Sequence, residues 1–458
     1  MRLSFKFNPD FSHKQLNIVN ELSWHLSKLH NIINYEIINK ETVKPVYTKI
    51  ENNFKYNWHC DLLHSHNRQQ LFRQLVGDWK SYFTSLKDYE KNPGKYKNKP
   101  GPPGFKNMNK NPAEIIFTKA AIRKREGKIL LSLSKEIKTK YQVDSLKFQL
   151  PAAVESLIKL KHLQQIRIKY DKLSQRWYLL VISKVEPDKD IDSDNIMAVA
   201  SPRWGDAGST TRILKEEAVD LGLNNLATLT FKDNKHSYLI NGKTIKSKNS
   251  YFNKELSRLQ SVRMKQTGSE HFKDSKKIKY LRMKRRNYIT NYLHKASFKI
   301  IKIALEKEVS KIIAPGPLFK LRGDGPGMTV FDLAFGDMKD IKQKMKYNKS
   351  FVQIPIQRLT DLIEYKAKLA GIKVIKVNES YTSGCSALDL EKINQDNYDK
   401  SRRIKRGLFV SKTGLKINAD VNGSLNIMRK YEKECIPELV KQARDNGVVF
   451  PPSRLRVA

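Results

Sequence analysis

Cysteine is scarce in this sequence, and long apolar runs are missing from it. The 458 residues include three cysteines, Cys60, Cys385 and Cys435, which lie far apart and form no CxxC pair. This spacing excludes a disulfide framework and an ordinary cysteine-based zinc ribbon. No apolar stretch approaches the roughly 18 residues of a membrane-spanning helix, and the N-terminus lacks the apolar core of a signal peptide. We therefore expect a cytoplasmic protein without a membrane partner.

Acidic residues are also in deficit. The chain has 46 Asp and Glu residues against 87 Lys and Arg residues, which gives a formal net charge of +41. A surplus of this size would repel itself in a folded chain that had no anionic partner. Nucleic acid is the partner that the charge favours, and many phosphate contacts would make its binding strongly dependent on salt.

The N-terminal part of the sequence combines helical and strand-like periodicity. Leu3–Phe7 alternates as a short strand, residues 12–89 have helical spacing, and short strands separated by turn signals follow over residues 115–184. Several short strands of this kind suggest a small β-barrel. We predict one barrel domain made of residues 1–11 and 90–185, with a helical insert at 12–89.

Basic side chains of this part are candidates for contact with nucleic acid. The loop at residues 91–106, KNPGKYKNKPGPPGFK, is too rich in proline and glycine to be helical. A solvated linker is the usual explanation of such a loop, but this one joins the helical block to the strand-rich block. The polar face of the helix before it is also basic. The predicted contacts are Arg68, Arg73, Lys95, Lys97, Lys99 and Lys106.

A single carboxylate stands inside an apolar strand after a polar linker at residues 186–217. The sequence AVDLGLNNLATLTF at residues 218–231 predicts a strand, a turn and a second strand, and Asp220 lies in the first. Burying a lone carboxylate is unfavourable unless a positive group, such as a divalent metal ion, neutralises it. From this stretch alone, an Asp that caps the following turn is an equally good explanation.

The order of the elements that follow is that of an RNase H-like α/β fold. A third strand, a long basic helix and then alternating strands and helices lead to Glu379, just after a strand, and to Asp420, in the first turn of a helix. Together with Asp220, these carboxylates could converge on one end of a sheet. Three carboxylates around two Mg²⁺ ions suit hydrolysis of a phosphodiester. The basic residues of this part that we expect to contact phosphate are Lys276, Arg282, Arg285, Arg286, Arg403 and Arg406.

Three motifs then carry a family resemblance. VDLGLN at residues 219–224, ESYTS at 379–383 and NADVNGSLNI at 418–427 resemble, in this order, motifs of the TnpB family of transposon-encoded RNA-guided DNA endonucleases, relatives of type V CRISPR effectors. HKAS at 294–297 and GFK at 104–106 are also similar to that family. The resemblance implies a guide RNA derived from the transposon end and a double-stranded DNA target next to a short recognition motif. It also implies one chain per RNA.

The resemblance implies an α+β multidomain architecture. A β-barrel wedge domain, OB-like and carrying the helical recognition insert, is expected to precede an RNase H-like (RuvC) α/β nuclease domain. The nuclease domain would comprise residues 218–379 and 417–434, with a degenerate zinc ribbon that binds the target nucleic acid at 380–416 and a C-terminal tail at 435–458. The site residues that it implies are Asp220, Glu379 and Asp420, as catalytic residues and Mg²⁺ ligands.

The sequence departs from the family at two places. The strand that ends in Ile312-Ile313-Ala314-Pro315 lacks the glutamate usual there, and some members resemble this chain in carrying it in the ESYTS segment instead. We therefore assign that role to Glu379, with Asp324 as the nearest alternative. The four-cysteine ribbon is reduced to Cys385, so we expect no zinc. The loop would be held instead by packing and by Arg402, Arg403, Lys405 and Arg406 against nucleic acid.

Two functions remain open from the sequence. One is an RNA-guided, Mg²⁺-dependent DNA endonuclease associated with the nucleoid, favoured by the presence of Asp220 and Asp420. The other is a nuclease-inactive RNA-guided repressor, favoured by the missing acid at Pro315. An unguided RNA-binding protein would account for the charge but not for the three acids. In the guided cases we expect the protein to copurify with a structured RNA.

Overall fold

A computed structural model describes residues 2–39, 44–96, 98–125, 127–150, 162–184, 215–316, 354–405 and 407–457. The chain forms two compact units, Met1–Ile196 and Met197–Ala458. Most of the predicted linker lies outside the described residues, and so do Asp324, Lys97 and Arg406. Within the described ranges, no helix combines the length and the apolarity needed to cross a bilayer.

The helices of the first unit form where apolar residues recur every three or four positions. Ile18, Leu22, Leu26 and Leu29 make one buried stripe, as an amphipathic helix packed on a core requires. The helices are α1 (His13–Asn39), α2 (Tyr47–Phe54), α3 (Trp58–Asp61), α4 (Ser65–Lys91) and α5 (Lys135–Tyr141).

Two antiparallel sheets complete the first unit. Their strands are β1 (Arg2–Phe7), β2 (Ile115–Thr118), β3 (Ile122–Arg125), β4 (Lys128–Ser132), β5 (Ser145–Gln149), β6 (Leu163–Asp171) and β7 (Arg176–Lys184). The orders are β1-β7-β6-β2 and β3-β4-β5. β1 pairs with β7, so the first strand does join the later ones, with α1–α4 inserted between them. The described strands nevertheless form two sheets rather than one closed barrel, because a 3₁₀ turn at Lys119–Ala121 redirects the chain between β2 and β3.

The second unit contains a six-stranded mixed sheet, a separate two-stranded antiparallel sheet and five described helices. The strands are β8 (Lys215–Leu221), β9 (Asn225–Phe231), β10 (Asn234–Asn241), β11 (Val309–Pro315), β12 (Lys373–Val377), β13 (Leu408–Val410), β14 (Lys416–Asn418) and β15 (Ser453–Leu455). The helices are α6 (Lys243–Thr267), α7 (Lys276–Glu306), α8 (Ile356–Leu369), α9 (Ala419–Tyr431) and α10 (Glu438–Asn446). With the first unit, these elements give the α+β multidomain fold that the sequence predicts.

The main sheet has the strand order β12-β11-β8-β9-β10-β15. β8, β9 and β10 are antiparallel neighbours, whereas β11 runs parallel to β8 and β12 runs parallel to β11. β15, in the C-terminal tail, adds a parallel strand to β10. The carboxyl ends of β8, β11 and β12 therefore meet at one edge of the sheet.

Helices cover both faces of this sheet. On one face, Val219 of β8 packs in a buried cluster with residues of α7 and α8, including Leu293 and Leu359. On the other, Ala218 packs with Ile427 of α9. Side chains alternate between the faces along a strand, so Asp220 lies on the same face as Ala218, under α9.

Candidate active site

Asp220 lies at the end of β8, where helix α9 comes unusually close to the strand. It pairs with Thr228 of β9. A Cβ atom built on Gly423 of α9 would lie 3.1 Å from Oδ2 of Asp220. Ser424 fixes the helix there, because its hydroxyl donates to the carbonyl of Ala218 (2.9 Å). The absence of a side chain at residue 423 therefore leaves room for the carboxylate.

Asp420 is placed by the start of α9. The side chain of Asn418 caps the helix and accepts hydrogen bonds from the backbone N–H groups of Asp420 (3.0 Å) and Val421 (3.2 Å). Asp420 thus stands in the first turn, where the helix dipole favours negative charge. Both of its oxygens are engaged: Oδ1 accepts from Arg403 Nη2 (3.2 Å), and Oδ2 accepts from Asn225 Nδ2 (2.6 Å).

Glu379 follows β12 at the same edge of the sheet. In the parallel register, Pro315 of β11 stands opposite Val377 of β12, two residues before Glu379. Asp220 lies two residues beyond Ala218, which stands opposite Ile313 of β11. Pro315, near which the sequence lacks the glutamate that the resemblance implies, therefore lies on β11. That strand stands between β8, which carries Asp220, and β12, which precedes Glu379.

The backbone of Glu379 is held in a tight turn. Thr382 donates to its carbonyl through both its N–H (3.3 Å) and its hydroxyl (2.7 Å). The next residue, Ser380, accepts a hydrogen bond from Lys430 of α9 at its own carbonyl (2.5 Å). Hydrogen bonds thus hold the ESYTS segment in a turn and connect it to α9, the helix that carries Asp420.

The negative charges of Asp420 and Glu379 both act on Asp220. Burial raises the pKa of Asp220 well above its usual value, and the negative charges of Asp420 and Glu379 raise it further, against smaller opposing effects of the Leu221 N–H and of Arg403. Burial also raises the pKa of Glu379, an effect that the positive charge of Lys430 partly opposes. The structure therefore places Asp420 and Glu379 close enough to Asp220 for their charges to raise its pKa.

The three carboxylates are ligands of the type that a hard divalent cation takes, but that of Asp420 already accepts hydrogen bonds from other side chains. Carboxylate oxygens are the ligands that Mg²⁺ prefers, and mutual repulsion among them favours a shared cation. Yet, among the residues that the structure describes, no three His, Cys, Asp or Glu side chains are grouped so as to hold a metal ion. Both carboxylate oxygens of Asp420 are bound, one to Arg403 and the other to Asn225.

The segment between Glu379 and Asp420 is organised by hydrogen bonds and an ion pair. Asn422 and Asn426 of α9 both donate to the carbonyl of Cys385 (2.8 Å each), and Cys385 itself is a buried free thiol. Arg402 donates to both carboxylate oxygens of Glu391 (2.9 Å each) in a nearly buried pair. The expectation that Arg402 faces nucleic acid is therefore wrong, because Glu391 holds its guanidinium inside the segment.

Three residues of this site were not identified from the sequence. Gly423 allows the close approach of α9, Ser424 donates a hydrogen bond to β8, and Asn225, the first residue of β9, donates one to Asp420. The one available signal was the pair of small residues Gly423 and Ser424, which begins three positions after Asp420 in the same helix. Small residues there indicate a helix that packs tightly on its neighbour.

The basic candidates of the first unit differ in their availability. Arg73 is exposed, with its guanidinium carbon 5.5 Å from the ring centroid of Tyr47. Arg68 is half-buried and donates to the carbonyl of Lys55 (3.3 Å). Lys95 is exposed but pairs with Asp88 (2.5 Å). Of the other two described candidates, Lys99 is exposed and Lys106 is half-buried. Their binding roles stay predictions.

The basic candidates of the second unit are partly engaged in packing. Arg285 donates to Asn249 of α6 through Nε (2.7 Å), and burial lowers its pKa, so it links two helices rather than standing free for phosphate. Arg282 pairs with Asp274 (3.1 Å). Lys276 is exposed and Arg286 is half-buried. Arg403 has a side chain 39% exposed and pairs with Asp420 (3.2 Å), so it contacts one of the three acids.

Two family models match the chain. Residues 208–319 match the OrfB_IS605 family, described as a probable transposase, and residues 357–427 match the TNB domain of Cas12f1-like proteins. The TnpB-like protein ORF457 of Acidianus two-tailed virus is 24% identical over 451 residues, which cover 94% of this chain and 86% of that protein. The matched regions contain Asp220 and Glu379 together with Asp420.

Solved structures of RNA-guided effectors are also similar to the chain. A Cas12f1–sgRNA–target DNA complex contains a chain that is 15% identical, with 94% of this chain and 100% of that chain covered and a TM-score of 0.33. The mini-RNA-guided endonuclease Cas_phi3 is 10% identical, with 94% and 92% covered and a TM-score of 0.43.

Proposed function

Because the chain is a member of the TnpB family, we propose that it is an RNA-guided DNA endonuclease that hydrolyses phosphodiester bonds with the help of Mg²⁺. The observation that carries this proposal is the juxtaposition of Asp220, Glu379 and Asp420 at the carboxyl edge of the main sheet. A buried acid whose pKa is raised by two neighbouring acids is typical of a functional site.

Each acid has a part in this proposal. Asp220, Glu379 and Asp420 would hold the divalent ions, which when bound activate the attacking water and stabilise the leaving oxygen. Gly423 keeps the space beside Asp220 open, and the capped start of α9 holds Asp420 in place. Arg403, which donates to Asp420 in the structure, would donate to a phosphate oxygen of the DNA.

The fold of the second unit supports the same reading. We assign it to the RNase H-like (RuvC) class on the strand order β12-β11-β8-β9-β10, with α9 covering β8. We assign the first unit to the wedge and recognition domains because β1 pairs with β7 across the inserted helices. The finer domain limits given above are part of this proposal.

A pocket in the first unit is our candidate for reading the short motif beside the target. It has a volume of about 500 Å³, and its polar lining includes Gln70, Arg73, Gln164, Gln165 and Arg167. Amide and guanidinium groups are the side chains that pair bidentately with adenine and guanine edges in the major groove. Replacing Gln70 and Arg73 with Ala should make the protein less selective for the short motif. Cleavage of a DNA library whose motif, next to the target, is randomised would measure this.

The positive charge is best explained by a guide RNA and its DNA target. When pairing with a guide reads the sequence, the protein needs to hold mainly backbone phosphates. We therefore propose a ribonucleoprotein with one chain per RNA that binds double-stranded DNA. Purified protein that is free of RNA and still binds its target normally would contradict this part.

The experiment that tests the proposal is cleavage of a target plasmid by the purified ribonucleoprotein with Mg²⁺. Cleavage next to the motif, lost when the guide is changed, is expected. Binding of the target without cleavage would instead indicate the nuclease-inactive repressor. Binding to RNA without any guided choice of DNA would indicate the unguided alternative.

A further inference from the structure

An exposed aromatic surface lies on the helical block of the first unit, outside the acidic site. It consists of Trp24 on α1 and Trp58 at the start of α3, whose ring centroids lie 6.4 Å apart, together with Tyr56, two residues before Trp58 in the chain, and we call it the indole platform. The exposed fractions are 37% for Trp24, 56% for Trp58 and 84% for Tyr56. Clustered aromatic side chains that are left this exposed mark a binding surface more often than a packing defect.

Two buried histidines, His25 and His59, pack against the tryptophans of the platform. The ring of Trp58 stacks on that of His59, with centroids 3.9 Å apart, and His25 meets Trp24 edge-on at 4.8 Å. The Nδ1 atoms of His25 and His59 lie 2.8 Å apart in a hydrogen bond. Burial lowers the pKa of both rings, that of His59 to about 4. The pair is therefore a neutral scaffold and not a phosphate site.

Lysines flank the exposed rings. Lys28 Nζ lies 5.5 Å from the ring centroid of Trp24, and Lys55 Nζ lies 4.8 Å from that of Tyr56. Aromatic faces beside cations are the composition of surfaces that bind single-stranded nucleic acid, where bases stack and cations meet the backbone. Asn52 and Asn53 on α2 are also exposed. A stable protein interface buries about 800 Å² on each partner around a core depleted of charge. The lysines among the aromatic rings of the platform do not resemble such a core.

We propose that the indole platform binds unpaired bases of an RNA, which stack on Trp58 and Trp24 while Lys28 and Lys55 contact the adjoining phosphates. RNA is the occupant because its loops and ends present splayed bases for stacking on aromatic rings, whereas bases within a DNA duplex are already stacked. This inference rests on the proposed function in so far as it requires an RNA partner.

The test uses the full chain and a short single-stranded oligouridine RNA, with affinity measured over a range of salt. Trp58→Ala should weaken binding by about fivefold or more, since one stacked base is lost, and should leave the salt dependence unchanged. Trp58→Phe should bind like the parent. Trp58→Leu keeps apolar area but loses the π face, and should bind as weakly as Trp58→Ala. Lys28→Gln should reduce the salt dependence, because it removes a phosphate contact.

A 5-iodouridine version of the same RNA should cross-link to peptides that contain Trp24 or Trp58. The proposal is overturned if Trp58→Leu and Trp58→Ala both bind like the parent, or if only single-stranded DNA of the same sequence cross-links there. It is also overturned if Trp58→Ala changes the oligomeric state and leaves RNA binding intact, since the surface then joins two copies. If the parental ribonucleoprotein cuts its target and these variants bind RNA normally, the proposal for the indole platform fails and the proposed function stands. If the parent binds no RNA, both proposals fail.

Discussion

Gly423 faces Asp220 so closely that a Cβ atom at residue 423 would lie 3.1 Å from the Oδ2 atom of that carboxylate. Gly423→Ala should therefore displace either the carboxylate or helix α9 by a few tenths of an ångström. We expect target cleavage to fall by about tenfold or more, because catalysis is sensitive to small errors of position. Cleavage rates of the ribonucleoprotein with saturating target would measure this effect.

Gly77 provides the matched control for that variant. It lies in α4, and a Cβ atom there would meet no atom within 4 Å. Gly77→Ala should leave cleavage unchanged and stabilise the protein by about 0.5–1 kcal/mol, through the greater helix propensity of alanine. Equal cleavage by Gly423→Ala and the parent would mean that the space beside Asp220 has no catalytic use.

Arg403 should compete with metal for Asp420, since its guanidinium donates to one carboxylate oxygen at 3.2 Å. Arg403→Gln should tighten the binding of Mn²⁺ by about fivefold, the factor that corresponds to an ion pair of about 1 kcal/mol. Electron paramagnetic resonance of free Mn²⁺ would measure it without any need for activity. Lys405→Gln removes the same charge from the same segment and should leave the affinity unchanged. A weaker affinity in Arg403→Gln would contradict this competition.

The raised pKa of Asp220 predicts a pH dependence of stability in metal-free protein. The folded state holds a proton that the unfolded chain releases, so stability should fall as pH rises from 3.8, the usual pKa of Asp, towards the higher folded-state value. Asp220→Asn should remove this loss. In EDTA, the melting temperature of Asp220→Asn should exceed that of the parental protein by more at pH about 8 than at pH about 5. Asp361→Asn, on the exposed side of α8, controls for the change in net charge.

The segment between Glu379 and Asp420 should be stable without zinc. Arg402→Ala would leave Glu391 buried without its bidentate partner, and we expect it to destabilise the protein by about 3–5 kcal/mol. Lys412→Ala removes an exposed cation from the same carboxylate and should cost less than about 1 kcal/mol. Chemical denaturation of the two variants would separate these effects. One zinc per chain by elemental analysis would overturn this account of the segment.

Local sequence patterns predicted most of the elements that position the site. The helical spacing of residues 12–89 located α1 and α4, and the predicted long basic helix corresponds to α7. The apolar strand around Asp220 identified an acid that needs compensation. The family motifs added Glu379 and Asp420. These features are readable because each depends on residues that are close together in the chain.

Long-range partners were not predictable in this way. The split of the first unit into two sheets depends on a 3₁₀ turn, and the pairing of β15 with β10 joins segments more than 200 residues apart. The internal role of Arg402 depends on Glu391 being buried beside it, which a basic stretch does not reveal. HKAS is another example: Ser297 and the carbonyl of His294 both accept hydrogen bonds from Lys366 of α8.

The central claim is that Asp220, Glu379 and Asp420 form one catalytic centre. Asp220→Ala and Asp420→Ala should each abolish cleavage and leave guided DNA binding nearly unchanged, because phosphate contacts made elsewhere support binding. Both variants test acids whose positions the family motifs already suggest. The position of the third acid is the more distinctive part of the claim.

Glu379→Gln therefore tests the account most directly, because it keeps the side chain's volume and removes only its charge. Cleavage of a target plasmid by the Glu379→Gln ribonucleoprotein, measured beside its DNA affinity, should be lost while binding is retained. Cleavage by Glu379→Gln at the parental rate would contradict the account and would make Asp324 the candidate for the third acid.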